Sequence, residues 1–277
     1  MYPAILPESM ATPDPFAGDD VAERIQRRAM QTVINPYHAR DFCPILAGDD
    51  PRIAEYETAL DNLASFIAGI NRVVLTGGLA IPVSVLARHP ETTPRFYRKH
   101  NALHLGVARS QFPSLVQRLH RYNYYPFART KMVPIKNEAR IKFAKKDEYY
   151  SLSWNEIERM SRGERLGRIF SFYPKTKNLR FIKIESGTGE IAPHEKLEDY
   201  IDVYFHYYHK GRLCSNDDKT RNCHGYFSGE TYTTRSGFLL HLVNISYLQQ
   251  IKRERFKKKK GKTDRHDLER IAALLAE

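Results

Sequence analysis

A turn of small residues, Thr76-Gly77-Gly78, stands between a short apolar run and a stretch with helical spacing. The run Val73-Val74-Leu75 predicts a buried strand, and residues 79–88 predict the helix that follows the turn. Glycine lets backbone N–H groups approach a ligand closely, as the binding of a triphosphate requires. The turn therefore predicts a phosphate-binding loop, although a plain tight connection between strand and helix uses the same residues.

Two further segments place polar residues on predicted strands. Arg98 leads into the strand predicted at 102–107, where Ala102 and His104 are two residues apart, so both side chains lie on one face. Much later in the chain, Asp202 is the one acid in the apolar strand Ile201-Asp202-Val203-Tyr204-Phe205.

In this order the segments resemble the nucleotidyltransferase superfamily, which includes antibiotic adenylyltransferases and the toxins of bacterial abortive-infection systems. Those proteins carry a Gly-Gly or Gly-Ser turn, a helix, a strand with the pattern Arg-x-x-x-Asp-x-Asp, and a third acid on a later strand. The resemblance covers about residues 50–277. Its matching positions are Gly77-Gly78, Arg98, the Asn123-Tyr124 turn, Asp202 and the basic segments 252–260 and 262–268.

The resemblance implies transfer of a nucleotidyl group from an NTP to a hydroxyl on RNA, tRNA included, or on a small molecule, with Mg²⁺ as cofactor. It implies that Asp202 is the remaining metal ligand or base, with His104 beside it as the second candidate catalytic residue. The residues expected to hold the nucleotide are Thr76, Gly77, Gly78 and Arg98.

The chain departs from the superfamily at the two strand acids, where it has Ala102 and His104. Magnesium prefers oxygen ligands, so imidazole is a poor substitute and alanine supplies no ligand. The alternative function is therefore a catalytically inactive relative that binds nucleotide or RNA, with a protein partner of the toxin–antitoxin kind. An unrelated basic RNA-binding protein is the third hypothesis.

The segment 252–265 is strongly basic, with nine Lys and Arg residues. Such a density predicts contact with the phosphates of RNA, and a solvated helix face is the competing interpretation. The residues expected to make this contact are Lys252, Arg255, Lys258 and Lys259.

Zinc-competent residues are also grouped in one part of the chain, at His206, His209, Cys214, Cys223 and His224. Their spacing fits no standard zinc motif, and the chain has no C-x-x-C. Histidines on an aromatic strand and unpaired thiols are the simpler interpretation of this group.

The elements that must position these residues predict an α+β fold with a mixed sheet flanked by helices and a helical C-terminal region. The resemblance implies that this sheet is nucleotidyltransferase-like. Apolar residues at three- and four-residue spacing predict a helix over 52–69, and strands are expected near 126–135, 139–144, 180–184 and 200–208. Three regions follow: a Pro-rich tail with a short helix at 21–33 (1–50), an α/β core (51–210), and a loop with basic helices (211–277).

Composition supports a folded protein with an anionic partner. Lys and Arg number 44 against 32 Asp and Glu, which gives a formal net charge of +12. Hydrophobic residues make up 42% of the chain, enough for a core, and three cysteines are too few for a disulfide scaffold. Since no apolar run approaches the ~20 residues of a membrane span and the first residues are unlike a signal peptide, we expect a cytoplasmic protein without a membrane partner.

Overall fold

The computed structural model describes most of the chain that carries the predicted elements. The described residues are 14–18, 31–32, 51–92, 96, 100–130, 148–164, 178–185, 196–209, 212–215, 225–259 and 262–276. Arg98 and the strand predicted at 139–144 lie outside them.

A mixed sheet forms the centre of the molecule. The strand order is β1-β5-β4-β6-β7-β3-β2, and β8 pairs with the C-terminal part of β7. Strands β3 and β7 are parallel, whereas the other pairs in the sheet are antiparallel. The strands are β1 (Gln31–Thr32), β2 (Val73–Leu75), β3 (Leu103–Ala108), β4 (Tyr124–Thr130), β5 (Glu148–Ser151), β6 (Asn178–Lys183), β7 (Tyr200–His209) and β8 (Arg212–Ser215).

Helices precede and follow the strands along the chain, and a second small sheet lies near the C-terminus. That sheet is the hairpin β9 (Thr231–Thr233) and β10 (Leu239–His241). The helices are α1 (Pro51–Ile67), α2 (Ala80–Arg88), α3 (Phe112–His120), α4 (Trp154–Ser161), α5 (Ile245–Lys259) and α6 (Lys262–Ala276). The α+β class is thereby confirmed.

Helix α1 shows why the apolar spacing was informative. Pro51 begins the helix, where its missing N–H costs nothing. The apolar residues at three- and four-residue spacing then form one buried stripe, which belongs to the main hydrophobic core. Its members include Ile53, Tyr56, Leu60, Leu63 and Ile67.

The predicted elements agree with the structure around the Gly-Gly turn and at both C-terminal helices. The described elements that were not predicted are β1, β5, α4, β8 and the two strands of the β9–β10 hairpin. Helix α4 had a local signal, because the Ser153 hydroxyl and the Glu156 carboxylate form a reciprocal capping box. The predicted helix at 21–33 is wrong at its end, since Gln31–Thr32 pairs with β5 as a strand.

The C-terminal segment packs directly against the turn region. The Val243 amide donates to the Leu75 carbonyl at 2.9 Å, which places the chain after β10 beside β2. Arg88, in the last turn of α2, contacts both Glu230 and the Leu274 carbonyl of α6. None of the helices in the described residues is long and apolar enough to cross a membrane.

Candidate functional site

Three neighbouring strands bring the predicted catalytic residues together. In the β3–β7 ladder His104 is opposite Asp202, and in the β6–β7 ladder Arg180 is opposite the same aspartate. Residues directly opposite each other point to the same face of a sheet. Arg180, Asp202 and His104 therefore form one row across the sheet.

The Gly-Gly turn closes one end of this row. The Thr76 amide donates to the His104 carbonyl at 2.8 Å, which fixes the turn to the start of β3. Gly77 has φ +77°, and a Cβ added there would lie 2.5 Å from the His104 Nδ1. Glycine is required at this position both by the backbone conformation and by the imidazole packed against it.

The turn offers less to a phosphate than the sequence suggests. The Thr76 amide is already engaged within the sheet, and Thr76 is buried. Gly78 is buried as well, and its carbonyl accepts from Ile81 in the first turn of α2. Gly77 remains partly exposed beside His104, so the accessible part of the turn is centred on this residue.

Asp202 is held by a cation from within the protein. Arg180 Nε lies 2.5 Å from Asp202 Oδ1, and Arg180 Nη2 lies 2.8 Å from Oδ2, which is a bidentate pair. The side chains of Arg180 and Asp202 are 1% and 4% exposed. The guanidinium also lies 4.7 Å from the centre of the buried Tyr200 ring, so it has little freedom to move.

His104 is the accessible member of the row. Its Nε2 lies 3.6 Å from Asp202 Oδ2, and its side chain is 28% exposed. The Tyr204 ring, two residues beyond Asp202 and partly exposed, is tilted toward the imidazole at 5.6 Å between ring centres. A ligand at this surface meets His104, Tyr204 and Gly77 before it can meet Asp202.

The side chains in this row do not fit the magnesium site that the resemblance implies. Ala102 is buried and supplies no ligand, His104 supplies a nitrogen, and both Asp202 oxygens accept from Arg180. A guanidinium at ~5 Å opposes a cation by about 3 kcal/mol per unit of metal charge at an effective dielectric of ~20. In the described part of the chain, no group of three or more His, Cys, Asp or Glu side chains is arranged to hold a metal.

Beyond His104 the same face is covered by aromatic side chains. Tyr226 packs so closely on Gly106 that a Cβ there would overlap its ring. The His206 ring stacks on Tyr226 at 3.8 Å between centres, and Tyr247 of α5 meets Tyr226 edge-on at 4.9 Å. His206 is thus part of an aromatic stack, whereas Cys223 and His224 of the zinc-competent group lie outside the described residues.

The Asn123-Tyr124 segment, which the resemblance also names, lies where the chain enters β4. Asn123 has φ +64° and ends a turn over residues 121–123, as expected, and Tyr124 begins β4. Burial raises the pKa of Tyr124, as do the nearby Glu198 and Asp199 carboxylates, and its hydroxyl donates to the Glu198 carbonyl at 3.0 Å. Tyr124 is therefore a buried structural tyrosine.

The residues predicted to contact RNA differ in their exposure to solvent. Lys252 is 4% exposed, and its ammonium lies 2.5 Å from Asp267 and 3.4 Å from Asp264, so its charge is directed inward. Arg255 is 54% exposed, with its Nε 3.8 Å from Asp264. Lys258 and Lys259 belong to the last turn of α5.

Arg180 is the residue that the sequence did not single out as functional. Its segment was predicted as a strand, and the signal was a lone charged residue between Leu179 and Phe181, both fully buried. A buried arginine requires a carboxylate partner. The sequence offers many acids, and only the register of β6 on β7 selects Asp202.

Comparison of the chain with protein-family models, with curated proteins and with solved structures finds no match in any of the three.

Proposed function

We propose that this protein is a nucleotidyltransferase-like nucleotide-binding protein that does not transfer the nucleotide. Of the three functions expected from the sequence, this is the inactive relative. The bidentate pair between Arg180 and Asp202 is the observation that carries the proposal. The Arg180 guanidinium neutralises Asp202, the acid at the centre of the row.

The surface around the row supports nucleotide binding. His104 presents a partly exposed imidazole next to the exposed part of the Gly-Gly turn, and both can contact a phosphate oxygen. Tyr204 lies at the edge of the same surface and offers a ring for a base. A phosphate bound there would not need a divalent cation, since the acid behind it is already paired.

The first experiment measures binding of ATP, GTP, CTP and UTP by calorimetry, with Mg²⁺ or with EDTA. We expect at least one nucleotide to bind, with a similar dissociation constant in both buffers. His104→Ala should weaken binding about tenfold, which corresponds to about 1.4 kcal/mol. The matched control is His241→Ala, an exposed histidine on β10.

Transfer of label from each NTP to tRNA, other RNA and the protein itself is measured in parallel. We expect none from the native chain with Mg²⁺ or Mn²⁺. Transfer by the native chain would contradict the proposal and favour the active nucleotidyltransferase. Failure of every nucleotide to bind in either buffer would contradict nucleotide binding itself.

A set of restored variants tests the reason for inactivity. Ala102→Asp with His104→Asp returns both acids of the superfamily pattern, and adding Arg180→Met removes the internal cation. We expect the triple variant to bind Mn²⁺ more tightly than the double variant, as measured by electron paramagnetic resonance of free Mn²⁺. Equal affinities would show that Arg180 does not oppose the metal.

A further inference from the structure

The C-terminal hairpin of α5 and α6 separates its charges into an inner and an outer set. The inner set is Lys252 with Asp264 and Asp267, all nearly or fully buried between the helices. Buried charges in such a cluster are costly to expose singly, so the cluster fixes the rotation of α5 about its axis. The residues on the opposite side of α5 must then face solvent.

That opposite side forms one continuous stripe. Ser246, Gln250, Arg253 and Lys257 are all exposed and follow one another at spacings of four, three and four residues. This spacing keeps them on one helix face. The stripe extends over ~16 Å, at ~1.5 Å per residue. It contains no acid, and among the described residues no carboxylate forms an ion pair with Arg253 or Lys257.

The first turn of α5, where the stripe begins, contacts Tyr226. Asn244 caps α5, its Oδ1 accepting from the Ser246 amide at 3.0 Å, and its own amide donates to the Tyr226 carbonyl at 3.2 Å. Tyr226 in turn lies on Gly106 of β3, two residues from His104. The stripe therefore begins on the turn of α5 that packs against the aromatic side chains covering β3.

We infer that this face of α5 is a docking surface for single-stranded RNA. Arg253 and Lys257 match the negative charge of a phosphodiester backbone. Ser246 and Gln250 add neutral hydrogen-bonding groups on the same stripe, suited to the ribose 2′-hydroxyl, which distinguishes RNA from DNA. Lys252, which the sequence placed among the RNA contacts, supports the surface from behind by holding α6.

Fluorescence anisotropy of a labelled single-stranded RNA of about 12 nucleotides tests the inference. Arg253→Gln with Lys257→Gln should weaken binding about tenfold or more at 0.1 M salt. The slope of log K against log salt should become shallower by about 1.4, since each lost contact to a single strand accounts for about 0.7. Circular dichroism and thermal unfolding confirm that the variant remains folded.

The matched control is Arg121→Gln with Lys196→Gln, which removes the same charge from two exposed positions outside α5. It should change binding less than twofold. If both double variants weaken RNA binding equally, total charge alone attracts RNA. That result would overturn the assignment of α5 as the docking surface. Absence of RNA binding by the native chain would overturn it as well.

A DNA strand of the same sequence separates the two nucleic acids. We expect weaker binding of DNA, and Ser246→Ala with Gln250→Ala should reduce this difference. Equal affinity for both strands would overturn the assignment to RNA. The Arg253→Gln and Lys257→Gln double variant also distinguishes this surface from the proposed nucleotide site, because it should weaken RNA binding and leave the dissociation constant for the nucleotide unchanged.

Discussion

At the scale of single residues, the site depends on close contacts that tolerate little change. Gly77 has a positive φ and lies against the His104 imidazole, and Asp202 has both oxygens occupied by one guanidinium. The first contact holds the His104 imidazole in place, and the second neutralises the Asp202 carboxylate behind it. Both can be tested by single and paired substitutions.

Gly77→Ala should destabilise the fold by about 2 kcal/mol or more. The positive φ costs about 1–2 kcal/mol in an L-residue, and the new Cβ would lie 2.5 Å from His104 Nδ1. Gly237→Ala is the matched control, since Gly237 has φ +80° and open space around it, so only the conformational cost applies. Denaturant unfolding measures both variants.

The contribution of the steric clash with His104 to this destabilisation can be tested separately. Adding His104→Ala to Gly77→Ala should recover the difference between Gly77→Ala and Gly237→Ala, because the imidazole is then gone. If the paired variant is no more stable than Gly77→Ala alone, the imidazole does not pack against the turn.

Arg180→Met should destabilise the protein by about 3–5 kcal/mol, since it leaves Asp202 buried without its cation. Replacing both partners, as Arg180→Met with Asp202→Leu, should cost much less, because no charge then remains buried. Urea unfolding of the three proteins gives the comparison. Equal loss from the single and paired variants would show that packing, and not charge, holds this part of the sheet.

At the scale of elements, the β9–β10 hairpin is tied to α1 by its turn. The Ser236 hydroxyl and amide both donate to Asp61, and Arg235 pairs with Glu57 at 2.7 Å. The Ser236 hydroxyl, as the largest cause, lowers the pKa of Asp61 below its usual value. The turn is thus coupled to the ionisation of one carboxylate.

This coupling has a defined pH dependence. Because the folded-state pKa is lower than the unfolded one, the stabilisation is complete above about pH 3.9. It is lost as the pH falls through the folded-state pKa. Asp61→Asn should cost about 1 kcal/mol or less at neutral pH, given the exposure of the turn. The difference from the native protein should vanish in acid, as unfolding at several pH values will show.

At the scale of the whole molecule, the C-terminal helices share a core with the sheet. Leu240, Leu242, Leu248, Ile271 and Leu274 belong to the same buried cluster as the strands. Arg88 of α2 contacts the last turn of α6 and Glu230. Damage to the helical hairpin should therefore reach the helix that follows the Gly-Gly turn.

Lys252→Met tests this connection. It removes the buried ammonium that contacts both Asp264 and Asp267 and should cost about 3–5 kcal/mol. Arg253→Met, the neighbouring exposed position, should change stability by less than about 0.5 kcal/mol. Hydrogen exchange should show that amides of α2 lose protection in the first variant only. Protection unchanged in α2 would contradict the coupling.

The predicted elements near the turn were correct because their signals are local. An apolar stripe in α1, a short apolar run in β2 and a basic helix in α5 can each be identified from one window of sequence. The β9–β10 hairpin had no such signal, since its strands have three residues each and are mostly exposed. Its place is set by contacts with α1 and β2, far away in the chain.

The amino-acid sequence by itself determined the α+β class, the turn at Gly77 and the presence of a lone acid at Asp202. Only the tertiary structure decided that Arg180 is the partner of that acid and that Lys252 faces inward. A shift of one residue in the register of β6 would turn Arg180 to the other face of the sheet. The partner of a buried charge is therefore chosen by strand register and helix rotation, which depend on the packing of the whole chain.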